Sequence, residues 1–337
     1  MARYKAEFLQ HYYDEHGVPL RALAVAHITQ LNRLGSLVPG MYNFMIGQPL
    51  IAGLLKKTLG MAQQRSLPTL SPYPLSAWLK RYNQELPANL PHRRVYLFID
   101  EFTEFNDVHV GQAAVKLLNA LGYQVMAPGN SESGRTYLSK GLVRRAKGLA
   151  IENVLIFKDK VSEEIPLIGI EPSAILTFRD EYPDLVGPEL KEAALKLSKQ
   201  CLMFDEFFIR EAVAGHIRKE QFKGTKINIK LHGHCHQKAI STTGPAKDML
   251  SFPENYTVEE IPSGCCGMAG SFGYEKEHYE LSMKVGELVL FPAVRKAEED
   301  VIIVAPGTSC RHQIKDGTGR EALHPVEVMW GAMVVSR

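Results

Sequence analysis

Charge imbalance is almost absent from this sequence: 39 Lys and Arg against 37 Asp and Glu leave a formal net charge of +2. The basic pairs Lys56–Lys57, Arg93–Arg94 and Arg144–Arg145 are short and scattered. Without a basic tract to engage phosphates, no nucleic-acid partner is expected. No apolar segment follows the charged start MARYKAEFLQHYYDEHG, so no secretory signal is expected either. Long hydrophobic runs are missing too. The least charged stretch, LVPGMYNFMIGQPLIAGLL at 37–55, is broken by Pro39, Gly40, Gly47, Pro49 and Gly53. A spanning helix needs about 20 consecutive apolar residues. The stretch therefore reads as buried or interfacial helix pieces, with peripheral membrane contact beside Lys56 and Lys57 as the further option.

Cysteine is scarce and uneven. The chain has five, and Cys235, Cys265, Cys266 and Cys310 all fall in its last third. An odd count crowded toward one end is not a secreted disulfide framework; a reducing cytoplasm and a metal or redox role fit better. Cys201, inside LKLSKQCLMF, reads as a buried small hydrophobe in a helical run.

The 337 residues exceed the roughly 250–300 at which single cores stop growing, so more than one packed unit is expected. Residues 1–88 carry helical spacing (Ala6, Leu9, Tyr12, Tyr13; Leu20, Leu23, Ala24, Ile28) and end in the Pro-rich connector SLPTLSPYPL. Apolar runs then alternate with helical patterns. VYLFID (95–100), YQVMAP (123–128), VLIF (154–157) and PLIGIEP (166–172) read as strands, with helices near 109–121 and 138–151. Residues 185–217 read as helical. INIKLHGHCH (227–236), TVEEIP (257–262) and VIIVAP (301–306) read as strands around a strong helix at 274–297. Strand–helix alternation predicts parallel sheets.

The halves align with each other. Setting Val95 against Ile227 brings Thr103 opposite Cys235, Ser133 opposite Cys266 and Ala174 near Cys310. The fold class expected is α/β: two similar parallel-sheet halves, an internal duplication, after a helical N-terminal region, divided as 1–88, 89–212 and 213–337.

In such folds ligands gather at the carboxyl ends of strands, where all three cysteine-bearing segments fall. Four thiols suit tetrahedral zinc or an iron–sulfur cluster. Adjacent Cys265 and Cys266 point apart and fit one small ion poorly, whereas a cluster offers them different iron atoms. Gly264, Gly267, Gly270 and Gly273 free the loop for close approach, and a following helix is expected to aim its N-terminus at the site. His232, His234 and His236 alternate through the first segment. Two of them are expected to line the site or hydrogen-bond sulfur, and a histidine ligand is an alternative. Tyr274, Glu275, Arg311 and His324 flank the same loops, as groups that support the ligands from behind or as caps and surface.

The strings HGHCH, SGCCGMAGSFGYE, PGTSCRHQI and GTGREALHP resemble the cysteine-rich "CCG" domain family over nearly the whole chain. That family includes a subunit of heterodisulfide reductase, the iron–sulfur subunits of glycolate oxidase and of anaerobic glycerol-3-phosphate dehydrogenase, and lactate-utilisation proteins. The chain looks most like the C-terminal part of FAD-linked oxidase/iron–sulfur fusions of the D-lactate dehydrogenase type. The resemblance implies an iron–sulfur cluster, 4Fe-4S with zinc as the alternative, on Cys235, Cys265, Cys266 and Cys310, supported by His234, His236, Gly267, Tyr274 and Arg311. Three departures bear on it. Glu132–Ser133 and Ala174 stand where the first repeat often has thiols, so no cluster is expected there. Gln313 replaces the last thiol of the five-thiol motif. Neither a CxxCxxCxxxCP ferredoxin motif nor an FAD domain is present.

The implied function is electron transfer in a flavin-linked oxidoreductase acting on a small 2-hydroxy acid or glycerol 3-phosphate. Its partner would be an FAD-containing subunit with ferredoxin-type clusters, in the cytoplasm or peripherally at the inner face of the membrane. The rivals are a heterodisulfide reductase-like thiol/disulfide enzyme and a zinc-binding or metal-free scaffold that docks a flavoprotein.

Overall fold

A computed structural model describes residues 2–86 and 93–334. The expected boundary between 88 and 89 lies outside the described residues. Helices from Ala2–His16 to Leu75–Glu85 precede the first strand.

The strands are β1 (Arg93–Phe98), β2 (Tyr123–Met126), β3 (Leu167–Gly169), β4 (Cys201–Met203), β5 (Ile227–Leu231), β6 (Tyr256–Glu260) and β7 (Ile302–Val304). They form two all-parallel sheets, ordered β2-β1-β3-β4 and β6-β5-β7. In each, the first strand is central and its two successors flank it. The correspondence continues past β7, where Val304 makes a parallel bridge to Leu323 in the place that β4 takes beside β3. A helix follows each, Phe204–Val213 and Pro325–Ala332. Both open the same way: Met203 N–H donates to Glu206 and His324 N–H donates to Glu327, at 2.9 and 2.8 Å.

The halves share an interior. One buried cluster joins Val95, Leu97 and Leu117 of the first to Ile229, Leu231, Val326 and Met329 of the second. Such strands, covered on both faces, are continuous apolar runs, which is why VYLF and VIIV are readable.

Four expectations are corrected. VLIF is not a strand but the last turn of the helix Val143–Phe157, with Val154 and Phe157 buried. Residues 185–217 are not one helical stretch: β4 interrupts them, and Cys201 lies in that strand rather than in a helix, fully buried as expected. The helix at 274–297 is broken into Tyr279–Leu288 and Leu290–Lys296. Pro292 lacks an N–H and its ring would meet the Leu288 carbonyl, so the helix restarts around Val289. Finally, 37–55 forms helix pieces as expected, but of the buried and interfacial options the buried one falls. The pieces are helices Pro39–Gly47 and Pro49–Thr58, parted at the extended Gln48 that Pro49 demands, with Ala52 as their buried residue. Leu50 is 89% exposed and Leu54 68%. Among the described residues no helix is long and apolar enough to cross a membrane.

Candidate metal centre

Strand β5 ends at Leu231, so Cys235 does not end a strand as expected. It is the first residue of the helix Cys235–Ile240, and His234 caps that helix by accepting the His236 N–H on Nδ1 at 3.3 Å. His232 continues the sheet, donating its N–H to the Val304 carbonyl at 2.8 Å. Its side chain is fully buried. Nδ1 meets Ser263 Oγ at 2.7 Å, while Nε2 has no hydrogen-bond partner among the described residues.

The Cys265–Cys266 loop follows β6. No helix succeeds it directly, contrary to expectation; the chain makes two short 3-10 turns, Phe272–Tyr274 and Lys276–His278. Gly267 has φ +100°, and a Cβ there would lie 2.2 Å from the Ser282 carbonyl oxygen. Only glycine lets the loop turn so close to that helix. Its N–H donates to Cys265 Sγ at 3.3 Å. Gln313, which replaces the thiol of the five-thiol motif, is buried and donates to the Ser282 carbonyl at 3.1 Å, so it braces the loop from outside.

Cys310 is the third residue of the helix Thr308–Thr318. Gly307 makes room at its base: a Cβ there would lie 2.5 Å from the His234 ring and 3.3 Å from Cys310 Sγ.

The four sulfurs form a chain of contacts. Cys235 touches Cys265, Cys265 touches Cys266, and Cys266 touches Cys310. Cys266 and Cys310 are buried, and His232 joins them within 4.8 Å; Cys235 and Cys265 are half-buried. Acidity divides unevenly. Contacts with the Cys235 and Cys266 thiols, then the Gly267 and Ala269 N–H groups, hold Cys265 well below an ordinary thiol. Contact with Cys266, and the nearby imidazoles of His232 and His234, lower Cys310 well below an ordinary thiol. Cys235 and Cys266 are pushed up, each by its contact with Cys265 and by burial. Two of the four thiols, Cys265 and Cys310, are thus disposed toward thiolate, the form that binds metal.

The other expected residues divide. His234 borders Cys310. His236 faces Asp180, 3.9 Å away, and burial brings its ring down to about 3. Tyr274 bonds His312 Nδ1 through its hydroxyl at 3.1 Å. Arg311 pairs with Asp107 and donates to the Ala305 and Pro306 carbonyls, so it ties the halves together. Glu275 is held by Lys140 and Arg21, and His324 caps the helix Pro325–Ala332. In the sequence His232 is one of three alternating histidines. What separates it from the others is its place beside both buried sulfurs, with Nδ1 held by Ser263 and Nε2 left without a hydrogen bond among the described residues.

The equivalent corner of the first half holds oxygen, not sulfur. Thr103 Oγ1 donates to Asp100 at 2.5 Å, and Ser133 Oγ donates to Glu101 at 2.7 Å. Beside them a cleft of about 690 Å³ is lined by Asp100, Glu101, Glu104 and Glu132. These groups do not suit a soft iron–sulfur core. The second half does: four thiols and a buried, unpaired imidazole nitrogen converge there.

No family model matches the chain. It is similar to D-2-hydroxyglutarate dehydrogenase of Escherichia coli, with 27% identity over 97% of this chain and 32% of that protein. It is similar to one subunit of the anaerobic glycerol-3-phosphate dehydrogenase of Escherichia coli, with 23% identity over 95% of this chain and 79% of that one. An uncharacterized iron-sulfur protein of Methanococcus maripaludis is 23% identical over 76% of this chain and 47% of its own length. The chain spans about a third of the length of the hydroxyglutarate dehydrogenases it matches.

Proposed function

We propose that Cys235, Cys265, Cys266 and Cys310 hold one iron–sulfur cluster of the 4Fe-4S kind, and that the chain is the electron-transfer component of a flavin-linked oxidoreductase. The observation that carries this is the division of the thiols. A buried pair, Cys266 and Cys310, faces a half-buried pair, Cys235 and Cys265. Contrary to the expectation that they point apart, Cys265 and Cys266 touch each other, but four thiols in one run of contacts offer more sulfur than one small ion needs and suit a larger core. Bound there, the group would accept and release single electrons. The chain's residues would set its potential through burial and through hydrogen bonds to sulfur, such as that from Gly267 N–H. The half-buried Cys235 and Cys265 mark the side from which electrons would enter.

The similar proteins support a dehydrogenase setting. Their names suggest a 2-hydroxy acid or glycerol 3-phosphate as the substrate of the assembly; we propose in addition an FAD-containing partner with ferredoxin-type clusters, on which it would be oxidised. The matched strand orders support reading 89–212 and 213–337 as repeats of one unit, the first without its thiols. The exposed apolar residues of Pro39–Gly47 and Pro49–Thr58, followed by Lys56 and Lys57, support peripheral attachment at the inner face of a membrane.

Zinc is the second reading, favoured by one observation: His232, Cys266 and Cys310 alone already offer three ligand atoms within 4.8 Å of one another. Anaerobic purification with metal and sulfide analysis decides. About four iron and four sulfide per chain are expected. Zinc alone, in one equivalent, would overturn the electron-transfer reading.

A further inference from the structure

We infer that Asp180, Glu181 and His236 form a second metal site, for a divalent first-row cation that prefers oxygen and nitrogen donors, manganese(II) or iron(II). The site uses no thiol, although His236 directly follows Cys235 in the chain.

One ligand atom from each residue lies within 4.8 Å of the others. Asp180 closes the helix Thr177–Asp180 and Glu181 follows it, both in the first half; His236 belongs to the second-half helix that begins with Cys235. The polar atoms there lack partners. Among the described residues both ring nitrogens of His236 are buried without a hydrogen bond, and so is Oε2 of Glu181, a side chain only 8% exposed. Buried polar atoms are almost always paired, so a bare carboxylate oxygen of Glu181 and a bare nitrogen of His236, beside Asp180, call for a common partner. A cation supplies it.

The carboxylates are set from behind. Arg135 pairs with Glu181 Oε1, leaving Oε2 bare. Arg3 pairs with Asp180 Oδ1, leaving Oδ2 3.9 Å from His236 Nε2. Arg3 also holds Asp184 at 2.5 Å. Each arginine fixes one carboxylate oxygen and turns the other inward, as outer partners orient metal ligands. Three carboxylates face two guanidiniums, so negative charge remains for a cation to meet. Closing to metal bonds of about 2.0–2.2 Å takes a contraction of about 1 Å. The side chain of Asp180 is 26% exposed and opens the route to solvent. Two carboxylates with one imidazole suit manganese(II) and iron(II) better than soft metals. An ion there would pin the helix that starts with Cys235 to the first half.

The test uses the full chain with its iron in place. After dialysis against chelator, manganese(II) chloride is titrated in, and the free ion is followed by electron paramagnetic resonance. Thiolates compete poorly for manganese(II), so the cysteine site does not interfere. One ion per chain is expected in the wild type, with nitrogen modulation from an imidazole ligand in the pulsed spectrum. In Asp180→Asn and Glu181→Gln, binding should weaken by about tenfold or more at unchanged iron content. No manganese bound by the wild type, a bound ion without imidazole nitrogen coupling, or equal binding by the variants would overturn the inference. The first two readings need no variant to fold.

Discussion

Thr308 donates its backbone N–H to Glu171 Oε2 at 2.8 Å, a bond that spans 137 residues and joins the two halves. Glu171 opens the EPSA segment after β3, and Thr308 opens the helix that carries Cys310. The other oxygen of Glu171 accepts the Ser173 hydroxyl at 2.7 Å. One buried carboxylate of the first half thus caps two helices, and one of these positions a sulfur of the second. Glu171→Ala should leave the Thr308 N–H buried without a partner, at a cost of about 1–3 kcal/mol. Glu171→Gln keeps an acceptor and should lose less. Urea unfolding reads the stability, and the rate of metal loss to a chelator reads the effect on Cys310. Wild-type values for Glu171→Ala in both would sink the idea.

His232 should matter to metal retention more than its neighbours. Ser263 Oγ holds Nδ1 at 2.7 Å, and a ring nitrogen of His232 lies within 4.8 Å of the Cys266 and Cys310 sulfurs. Removing such a group typically costs about 10–100-fold in metal affinity. His232→Ala should therefore lose metal that much faster under chelator challenge, and Ser263→Ala should show part of the effect. His236→Ala, lacking contact with Cys266 or Cys310, should lose less. Equal retention in His232→Ala and wild type would remove His232 from the site.

The site is legible in the sequence because its chemistry is local to three short strings. Thiols just past apolar runs announce themselves, and so does Gly267, whose left-handed φ and close approach to Ser282 no side chain would tolerate. The misread segments share a different cause. Val154–Phe157 is a four-residue apolar run, and periodicity cannot tell a buried strand from the end of a buried helix at that length. β4 has three residues embedded among helix formers and exists only because β3 lies beside it. Glu171–Thr308, Arg311–Asp107 and the Asp180–His236 approach all cross between halves, where no spacing rule applies. What the sequence could show was the thiol set; what it could not show was how the thiol-free half supports it.

Asp100 should make stability fall as pH rises through neutrality. It is buried after β1, beside Glu101 and Glu171. Burial first, then those two charges, raise its carboxyl from 3.8 to about 7, against the hydrogen bonds it accepts from Thr103. A carboxyl raised on folding stabilises in its protonated form. That contribution is complete below about pH 4 and fades as pH climbs through 7. At about 1.4 kcal/mol per unit, the span is on the order of a few kcal/mol. Asp100→Asn stays neutral and keeps an oxygen for the Phe102 and Thr103 N–H groups, now bonded at 2.9 and 3.0 Å. Its thermal midpoint should gain on the wild type between pH 5 and pH 8. A difference independent of pH would show that Asp100 is already ionised at pH 5.

Membrane attachment, where it occurs, should run through the helix Pro49–Thr58. Leu50 and Leu54 stand one turn apart and are both exposed, Ile51 and Leu55 are partly so, and Lys56 and Lys57 follow at the end. Apolar residues beside basic ones suit an anionic lipid surface, with burial and charge acting together. Each fully buried leucine is worth about 1.5–3 kcal/mol, so replacing both by glutamate should abolish binding rather than trim it. Flotation of the full chain with phosphatidylserine-containing vesicles, against neutral phosphatidylcholine vesicles, measures this. Leu50→Glu/Leu54→Glu should stay in the unbound fraction at unchanged metal content, and neutral vesicles should bind the wild type less. If the wild type floats with neither vesicle, the two helices do not serve a lipid surface, and their exposed leucines belong to a protein partner instead.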